Sequence, residues 1–447
     1  MFYLLVGLLF ICSVIAYYLN EKSIIAPSFL YSFSFFFCSI FALLNKNRWD
    51  FILATSTFKV ISLSVVEFII AAYLVSKICS VFQNSHRVSR NKIITDIHRP
   101  QKTELLKIDY FKMYIIIIIQ VVNILFLWHS LMVATGRSLL AAMTFFNSNS
   151  ISGDAMINLN IPKLLTYTST FNIGTAILAE YLLAEYLVKY KKTKFSLLLM
   201  TLLGFVTSFS YGSRGGSIGF IITFMVFYII NYLKEGNKFK LNFKVFIKLL
   251  LLIFFSLLFM QWSAVFLNRA GVPESSFDYI SIYVGAEMKN LDTFLRMGIF
   301  PLHDGIWGQY TFGKLISNLA NIFNWALPQI TNIYGYQMVN NYDLGNVYTT
   351  FVPWLCDFGY KGIYWLTFLM ALLSQISYEL AMKVNRSYVT IWKLLYGTIS
   401  SGILLSFFSN RFYEQINTSL VYYLIIWYII RHFIFLKYKN ERIVEDE

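Results

Sequence analysis

Ser208-Phe209-Ser210-Tyr211-Gly212-Ser213-Arg214-Gly215-Gly216-Ser217 is a polar, glycine-rich break that carries an arginine between two apolar runs, residues 195–211 and 217–233. Each run is long enough to enter a bilayer, so the reading of this break separates a soluble core from a membrane bundle. A guanidinium among hydrocarbon costs about 2.5–3.5 kcal/mol at a helix centre on the insertion scale. A chain that keeps one there has usually paired it with an anion, either its own or a ligand's.

The rest of the chain carries the same apolar signal. Of 447 residues, 57% are hydrophobic and only 13% are charged, and the mean hydropathy is +0.59. A soluble domain carries about a quarter charged residues, so this is an integral membrane protein. The apolar runs recur along nearly the whole length, which makes residues 1–447 one polytopic unit with no room for a large soluble domain. Candidate spans are 2–19, 24–44, 58–82, 113–134, 164–188, 195–211, 217–233, 245–267, 362–382, 391–408 and 419–436. That makes about eleven at roughly twenty residues each. Continuous apolar runs exclude the alternation of a barrel, so the fold class is all-α. Residues 1–19 lack a basic leader and a small-residue cleavage site, and they read as a retained first span.

The net charge of +14 does not point to nucleic acid, because the basic residues sit in short connectors between apolar runs. The connector 83–112 holds Arg87, Arg90, Lys92, Arg99, Lys102, Lys107 and Lys112. Lys189, Lys191, Lys192 and Lys194 fill the next, followed by Lys234, Lys238, Lys240 and Lys244, and by Lys383, Arg386 and Lys393. With the spans above, all these connectors fall on one face, which the positive-inside rule makes cytoplasmic. The amino terminus is then outside, together with Lys46 and Arg48. Cys12, Cys38, Cys79 and Cys356 have no paired spacing and read as packing residues, with no disulfide framework and no metal site.

One connector differs. Residues 268–345 form a long extracytoplasmic loop with Asp278, Glu287, His303 and the aromatics Trp307, Tyr310 and Trp325. Loops of this length are usually lids or binding surfaces. Its piece 315–327 has helical spacing and can lie along the membrane surface. The same topology carries three arginines to the outer face: Arg214, Arg269 at the end of the eighth span, and Arg411 in Ser409-Asn410-Arg411-Phe412-Tyr413-Glu414. Gly215 and Gly216 permit close backbone approach and expose amide donors. Guanidinium and free amides together suit a phosphate or diphosphate. The competing reading is a tight hairpin whose arginine snorkels to lipid headgroups, and each arginine alone is more often such an anchor. Three together on one face favour an anionic, lipid-linked ligand. Arg137 and Arg296 are weaker members of the set.

Glu67, Glu180 and Glu185 lie within apolar runs. Glu185 is near enough to the cytoplasmic end to snorkel, and Glu180 is expected to pair with a cation rather than to serve a proton path. His303 can act as a general base on a hydroxyl or can simply be solvated, with Asp278 and Glu287 as competing bases. The aromatics Trp307, Tyr310 and Trp325 can stack on sugar rings or belong to an interfacial belt. No Walker A, GxGxxG, HExxH or zinc spacing occurs, so nothing points to ATP-driven or metal-hydrolase chemistry.

The many spans, the large late loop and Ser213-Arg214-Gly215-Gly216 opening a span resemble the Wzy-type O-antigen polymerases. A second stretch, Gly345-Asn346-Val347-Tyr348-Thr349-Thr350-Phe351-Val352-Pro353 followed by Trp354-Leu355-Cys356-Asp357-Phe358-Gly359-Tyr360-Lys361-Gly362, is similar to the segment of oligosaccharide repeat-unit polymerases in which an Asp-Phe-Gly turn leads into the next span. The paired Arg-x10-Gly elements of some members are not present, since Arg296 is followed by Gly308, one position too far. The resemblance implies a GT-C-like glycosyltransferase of the bacterial inner membrane, with 268–345 as a periplasmic loop. It would join undecaprenyl-diphosphate-linked oligosaccharide units without cofactor or metal, with membrane lipid around it and room for a chain-length-regulating partner. On this resemblance Arg214, Arg269 and Arg411, with Gly215 and Gly216, hold diphosphate. His303, Asp278 or Glu287 is the base, and Trp307, Tyr310 and Trp325 contact sugar. An O-antigen ligase acting on lipid A-core and a non-enzymatic flippase are the alternatives.

Overall fold

The computed structural model describes residues 1–91, 107–152, 162–212, 214–235, 255, 258–259, 261–263, 275–302, 305–328, 330, 333, 335–383 and 389–436. Among these, seven helices are long and apolar enough to cross a membrane, and three shorter apolar helices accompany them. The seven are α1 (Phe2–Leu19), α2 (Pro27–Leu44), α3 (Thr55–Asn91), α4 (Tyr110–Thr135), α6 (Lys163–Tyr190), α8 (Arg214–Lys234) and α11 (Phe351–Lys383). The shorter ones are α7 (Phe195–Ser210), α12 (Ile391–Leu404, continued by a 3-10 turn Leu405–Phe407) and α14 (Thr418–Ile434). Four other helices, α5 (Leu139–Ser152), α9 (Ser276–Arg296), α10 (Gly313–Phe323) and α13 (Arg411–Gln415), complete the described set. The protein is a helical membrane protein. The expected span 245–267 lies almost wholly outside the described residues.

Local signals set the helix ends. Pro27 opens α2, where its missing N–H is no loss. Asp109 caps α4 by accepting from the Phe111 and Lys112 amides, and Gly136 closes it in the left-handed conformation. Asn417 caps α14 through the Ser419 and Leu420 amides. Two helices outrun the hydropathy reading. The third span begins at Thr55 and continues to Asn91, past the apolar stretch. The span expected from Gly362 begins at Phe351, and a break at Gly359 (φ 64°) divides it. Only glycine adopts that conformation without strain, so the Asp357-Phe358-Gly359 segment is a bend inside a helix pair.

Two groups of helices pack together. α6 is the hub of one, against α4, α7, α8 and α14, while α3 packs on α11 and α1, and α1 on α2, in the other; α12 joins them through α8, α11 and α2. Lipid tails are as apolar as leucine, so close backbone approach and buried hydrogen bonds hold such helices together. Both are found at the hub. A Cβ at Gly204 of α7 would lie 2.0 Å from Ala176 Cβ on α6. Gln120 Nε2 of α4 donates to Asn172 O at 3.2 Å, Thr175 Oγ1 at 3.0 Å and Met200 O at 3.3 Å. Asn172 Nδ2 returns bonds to Gln120 O and Thr207 Oγ1 at 3.0 and 3.1 Å. Trp427 Nε1 of α14 reaches Gly174 O at 2.9 Å.

The described part of residues 268–345 is structured. Gly285 in α9 lets that helix press on the backbone of α2, where an added Cβ would lie 2.7 Å from Ala42 N. Asp292, fully buried, accepts from Ala54 N at 2.7 Å and Thr57 Oγ1 at 2.6 Å, and so caps α3. Arg296 is bound to Asp292 at 2.8 Å and to Ile52 O at 2.6 Å, which makes it a tether of the loop. A short hairpin, β1 (Gln337–Val339) with β2 (Tyr342–Gly345), ends the loop, and the helix expected over 315–327 is α10. The expected pairing of Glu180 is not found: its Oε2 is buried with no partner among the described residues. Glu185 does pair, with Lys234 at 2.6 Å, at the end of the bundle that carries the basic connectors.

The contact between α6 and α7 yields a stability test. Gly204→Ala forces two methyl groups together, and overpacking of this kind costs about 1–3 kcal/mol. Thermal unfolding in detergent should show a lower midpoint for Gly204→Ala, and Ala176→Gly in the same chain should recover part of the loss. An unchanged midpoint for the single variant would show that the two helices are not in contact there.

Candidate functional site

The break 208–217 and the turn 409–414 are about 200 residues apart in the chain, yet they meet at the mouth of one cavity. The cavity has a volume of about 520 Å³ and lies among α6, α8, α12 and α14, with α13 and α10 at its opening. The ends gathered there are the amino termini of α6, α8 and α14 and the carboxyl termini of α7 and α12.

The turn after α12 places the arginine. Gly402 lets α13 sit directly on α12, since a Cβ there would lie 2.9 Å from Phe412 Cα. Phe412 and Tyr413 are buried and anchor the short helix, and Tyr413 Oη donates to Leu366 O at 2.6 Å. Asn410, also buried, donates through Nδ2 to Thr311 O at 2.7 Å and accepts from Trp354 Nε1 at 3.0 Å. Asp357 accepts from the Thr311 and Tyr310 amides at 2.6 and 3.2 Å, so the chain leading into α10 is held from two sides. With the turn fixed, Arg411 and Glu414, three residues apart, both line the cavity.

Arg411 lies against the start of α8. A Cβ on Gly215 would be 2.9 Å from its Nη2, and one on Gly216 would be 2.3 Å from Ser208 Oγ. The absence of side chains at Gly215 and Gly216 therefore lets a guanidinium and bare backbone share one wall. The first N–H groups of a helix have no partner within it and carry a partial positive charge. Lys314 adds a second described cation to the lining from α10. Glu414 Oε2 lies 3.3 Å from Arg411 Nη1 and 3.4 Å from Lys314 Nζ. Burial pushes the Glu414 carboxyl up, but Arg411 and Lys314 outweigh that effect and hold it below its ordinary value. Arg411 Nε and Gln415 Oε1 have no hydrogen-bond partner among the described residues, which leaves open valences on two lining residues. Hydroxyls of Thr166, Ser169 and Thr170 on one side and of Ser208 and Ser401 on the other continue the wall inward.

Of the residues singled out in the sequence, Gly215, Gly216 and Arg411 come together. Arg214 begins α8, but its side chain lies outside the described residues, as do Arg269 and His303 altogether. Asp278 pairs with Arg48 at 2.5 Å near the start of α9, and Glu287 is buried in the middle of α9. Neither lines the cavity. Trp307 is exposed beside Phe358, and Trp325 is exposed and stacked on Phe323. Tyr310 serves the Asp357 contact through its amide. None of these three aromatics lines the cavity. Arg137 stacks on Phe145 at 4.0 Å. Sequence reasoning missed Lys314, Glu414 and Asn410. Glu414 carries a readable signal, since it follows Arg411 by one helical turn, whereas Lys314 meets the site only through the tertiary fold. The chain matches no protein-family model, no curated protein and no solved structure, so the geometry alone carries the functional argument.

Two outcomes follow from the contacts. Because the Glu414 carboxyl is held low in the fold, its ion pairs stabilise the protein above the ordinary carboxylate value of 4.5 and are lost as pH falls below it. The difference in melting temperature between the wild type and Glu414→Gln should therefore shrink from about pH 6 to about pH 3.5, an interval that brackets that value. A difference that does not change with pH would remove the ion pair as its cause. Gly215→Val should push into the Arg411 guanidinium and lower the unfolding midpoint, since overpacking of this kind costs about 1–3 kcal/mol. Calorimetry on the detergent-solubilised protein measures it.

Proposed function

We propose that this protein is a glycosyltransferase of the bacterial inner membrane that joins undecaprenyl-diphosphate-linked oligosaccharide repeat units, an O-antigen-type polymerase. The observation that carries this reading is the Arg411 guanidinium packed against Gly215 at the amino terminus of α8, with Lys314 beside it in one cavity. In this reading the described apolar helices and residues 245–267 make about eleven spans, with 268–345 as a periplasmic loop. The topology from the basic connectors agrees with the cavity. It assigns the starts of α6, α8 and α14 and the ends of α7 and α12 to the outer face, and these are the ends that meet at the mouth.

The chemistry needs little else from the chain. The bond between the anomeric carbon and the diphosphate oxygen breaks, the acceptor hydroxyl oxygen bonds to that carbon, and its proton passes to a base. Arg411, Lys314 and the α8 amides take up the charge that develops on the departing diphosphate, where fixed donors are worth most. The lipid-linked donor already carries its leaving group, so no nucleotide is consumed. His303 is the base candidate this reading keeps, because Asp278 is tied to Arg48 and Glu287 is buried away from the cavity. A chain-length-regulating partner would act on the products of this site.

Loss of one such donor typically lowers turnover by about 10²–10³. A strain lacking the protein should make surface glycan with one repeat unit, Arg411→Ala should leave it so, and Arg411→Lys should restore short chains. Normal ladders with Arg411→Ala would remove the diphosphate role. Loss of all surface glycan in the deletion strain would point to a ligase or flippase instead.

A further inference from the structure

Glu414 is placed where a ligand's anion would be expected. Both described cations of the cavity mouth, Arg411 and Lys314, approach the same oxygen, Oε2, at 3.3 and 3.4 Å. Good charge-assisted contacts are about 2.7–2.9 Å, so the carboxylate satisfies neither cation well. Arg411 Nε is buried with no partner among the described residues, and this remaining donor is one that a second set of oxygens could use. Gln415, the next residue, also has an unpartnered Oε1 while its Nε2 is held by Ser401 Oγ at 3.0 Å.

The same carboxylate fastens α10. That helix buries only Ala320, and Ile322, Phe323 and Trp325 at its far end are exposed. Three contacts tie it to the bundle at the mouth: Lys314 to Glu414, Asn318 Nδ2 to Thr418 Oγ1 at 2.8 Å, and Phe312 edge-on to Tyr413 with ring centres 5.2 Å apart. A helix with so few buried contacts belongs to the part of a fold that opens at low cost. Removing the Glu414 contact would therefore release it measurably.

We infer that Glu414 is a resident counter-ion: it caps Arg411 and Lys314 while the cavity is empty, holds α10 across the mouth, and is displaced by an entering phosphoryl anion that takes over both cations. The inference rests on the anion-site reading of this cavity. The ligand class is a phosphoryl or diphosphate group, which offers separate acceptor oxygens to two cations that share the single oxygen Oε2 of Glu414. Glu414 then lowers the affinity for that group and so assists its departure. After sugar transfer the diphosphate gains a terminal oxygen that can ionise, and repulsion from the nearby carboxylate grows when release is required. No bond to Glu414 forms or breaks.

Glu414→Gln keeps the shape of the side chain and removes its charge. The full-length protein in nanodiscs, titrated with inorganic pyrophosphate, should bind it about tenfold more tightly as Glu414→Gln than as wild type, about 1.4 kcal/mol. Hydrogen exchange at 313–323 should be faster in ligand-free Glu414→Gln than in ligand-free wild type, and pyrophosphate should slow it in both. Equal or weaker binding by the variant, with wild-type binding intact, overturns the counter-ion role. No binding by either protein overturns the anion site itself. Binding that weakens in Arg411→Ala and Lys314→Ala supports the assigned cations, and unchanged binding in both overturns the inference. Geranyl diphosphate titrated in parallel separates sources: tighter binding than pyrophosphate indicates a lipid-linked ligand, and equal binding indicates the free anion. Both results support displacement when Glu414→Gln is the tighter binder.

Discussion

Asn410 holds three distant parts of the chain at one point. Its amide nitrogen donates to the Thr311 carbonyl and its amide oxygen accepts from the Trp354 indole, while its own backbone leads into Arg411. A buried amide that meets its needs this way is costly to move, because each freed group would face an apolar interior. The segment before α10, the amino-terminal part of α11 and the turn after α12 are therefore located relative to one another. Arg411 takes its place against Gly215 from that arrangement, and Lys314 takes its place opposite Glu414. Asp357 repeats the device one step away by binding two amides of the same loop segment.

The seven long apolar helices were legible because twenty-residue apolar runs leave few alternatives in a bilayer. Helices α4, α6 and α7 appear close to where hydropathy puts them. The misreadings have a common cause. Hydropathy marks the part of a helix that contacts lipid, whereas a helix continues wherever its backbone bonds do, so α3 runs past its apolar stretch and α11 starts at Phe351. Residues 268–345 read from the sequence as a lid or binding surface with one helical piece at 315–327. Its main ordered element, α9, is amphipathic and buries Asn290, Asp292 and Glu287 against the bundle, a polar face that composition alone reads as exposed.

The site divides in the same way. Glycine next to arginine is a local signal, because bare backbone and guanidinium both suit an anion, and Gly215 and Gly216 emerged from it, whereas Arg411 emerged from the order of spans that carries it to the same face. Lys314 and Asn410 act through partners about 100 residues away, and no spacing rule encodes that. Glu180 shows the limit of arguing from cost. An intramembrane carboxylate suggested a cationic partner, yet the described surroundings of its Oε2 provide none. The polar side chains that bond across the hub helices, Gln120, Asn172 and Thr207, are uncharged.

The cavity changes character with depth. Its mouth holds Arg411, Lys314 and the start of α8, and hydroxyls from α6 and α12 follow. Farther in, Ile173, Ile177 and Phe220 appear beside Thr223 and Thr398. Along α6 the lining runs from Thr166 to Ile177, about 16 Å at the helical rise. The lining thus passes from paired charge to hydroxyls and then to hydrocarbon, and a charged group would lose partners at each step along it. Ser208, Gly215 and Gly216, from the break between α7 and α8, lie at the polar end of this gradient, where those two helices meet.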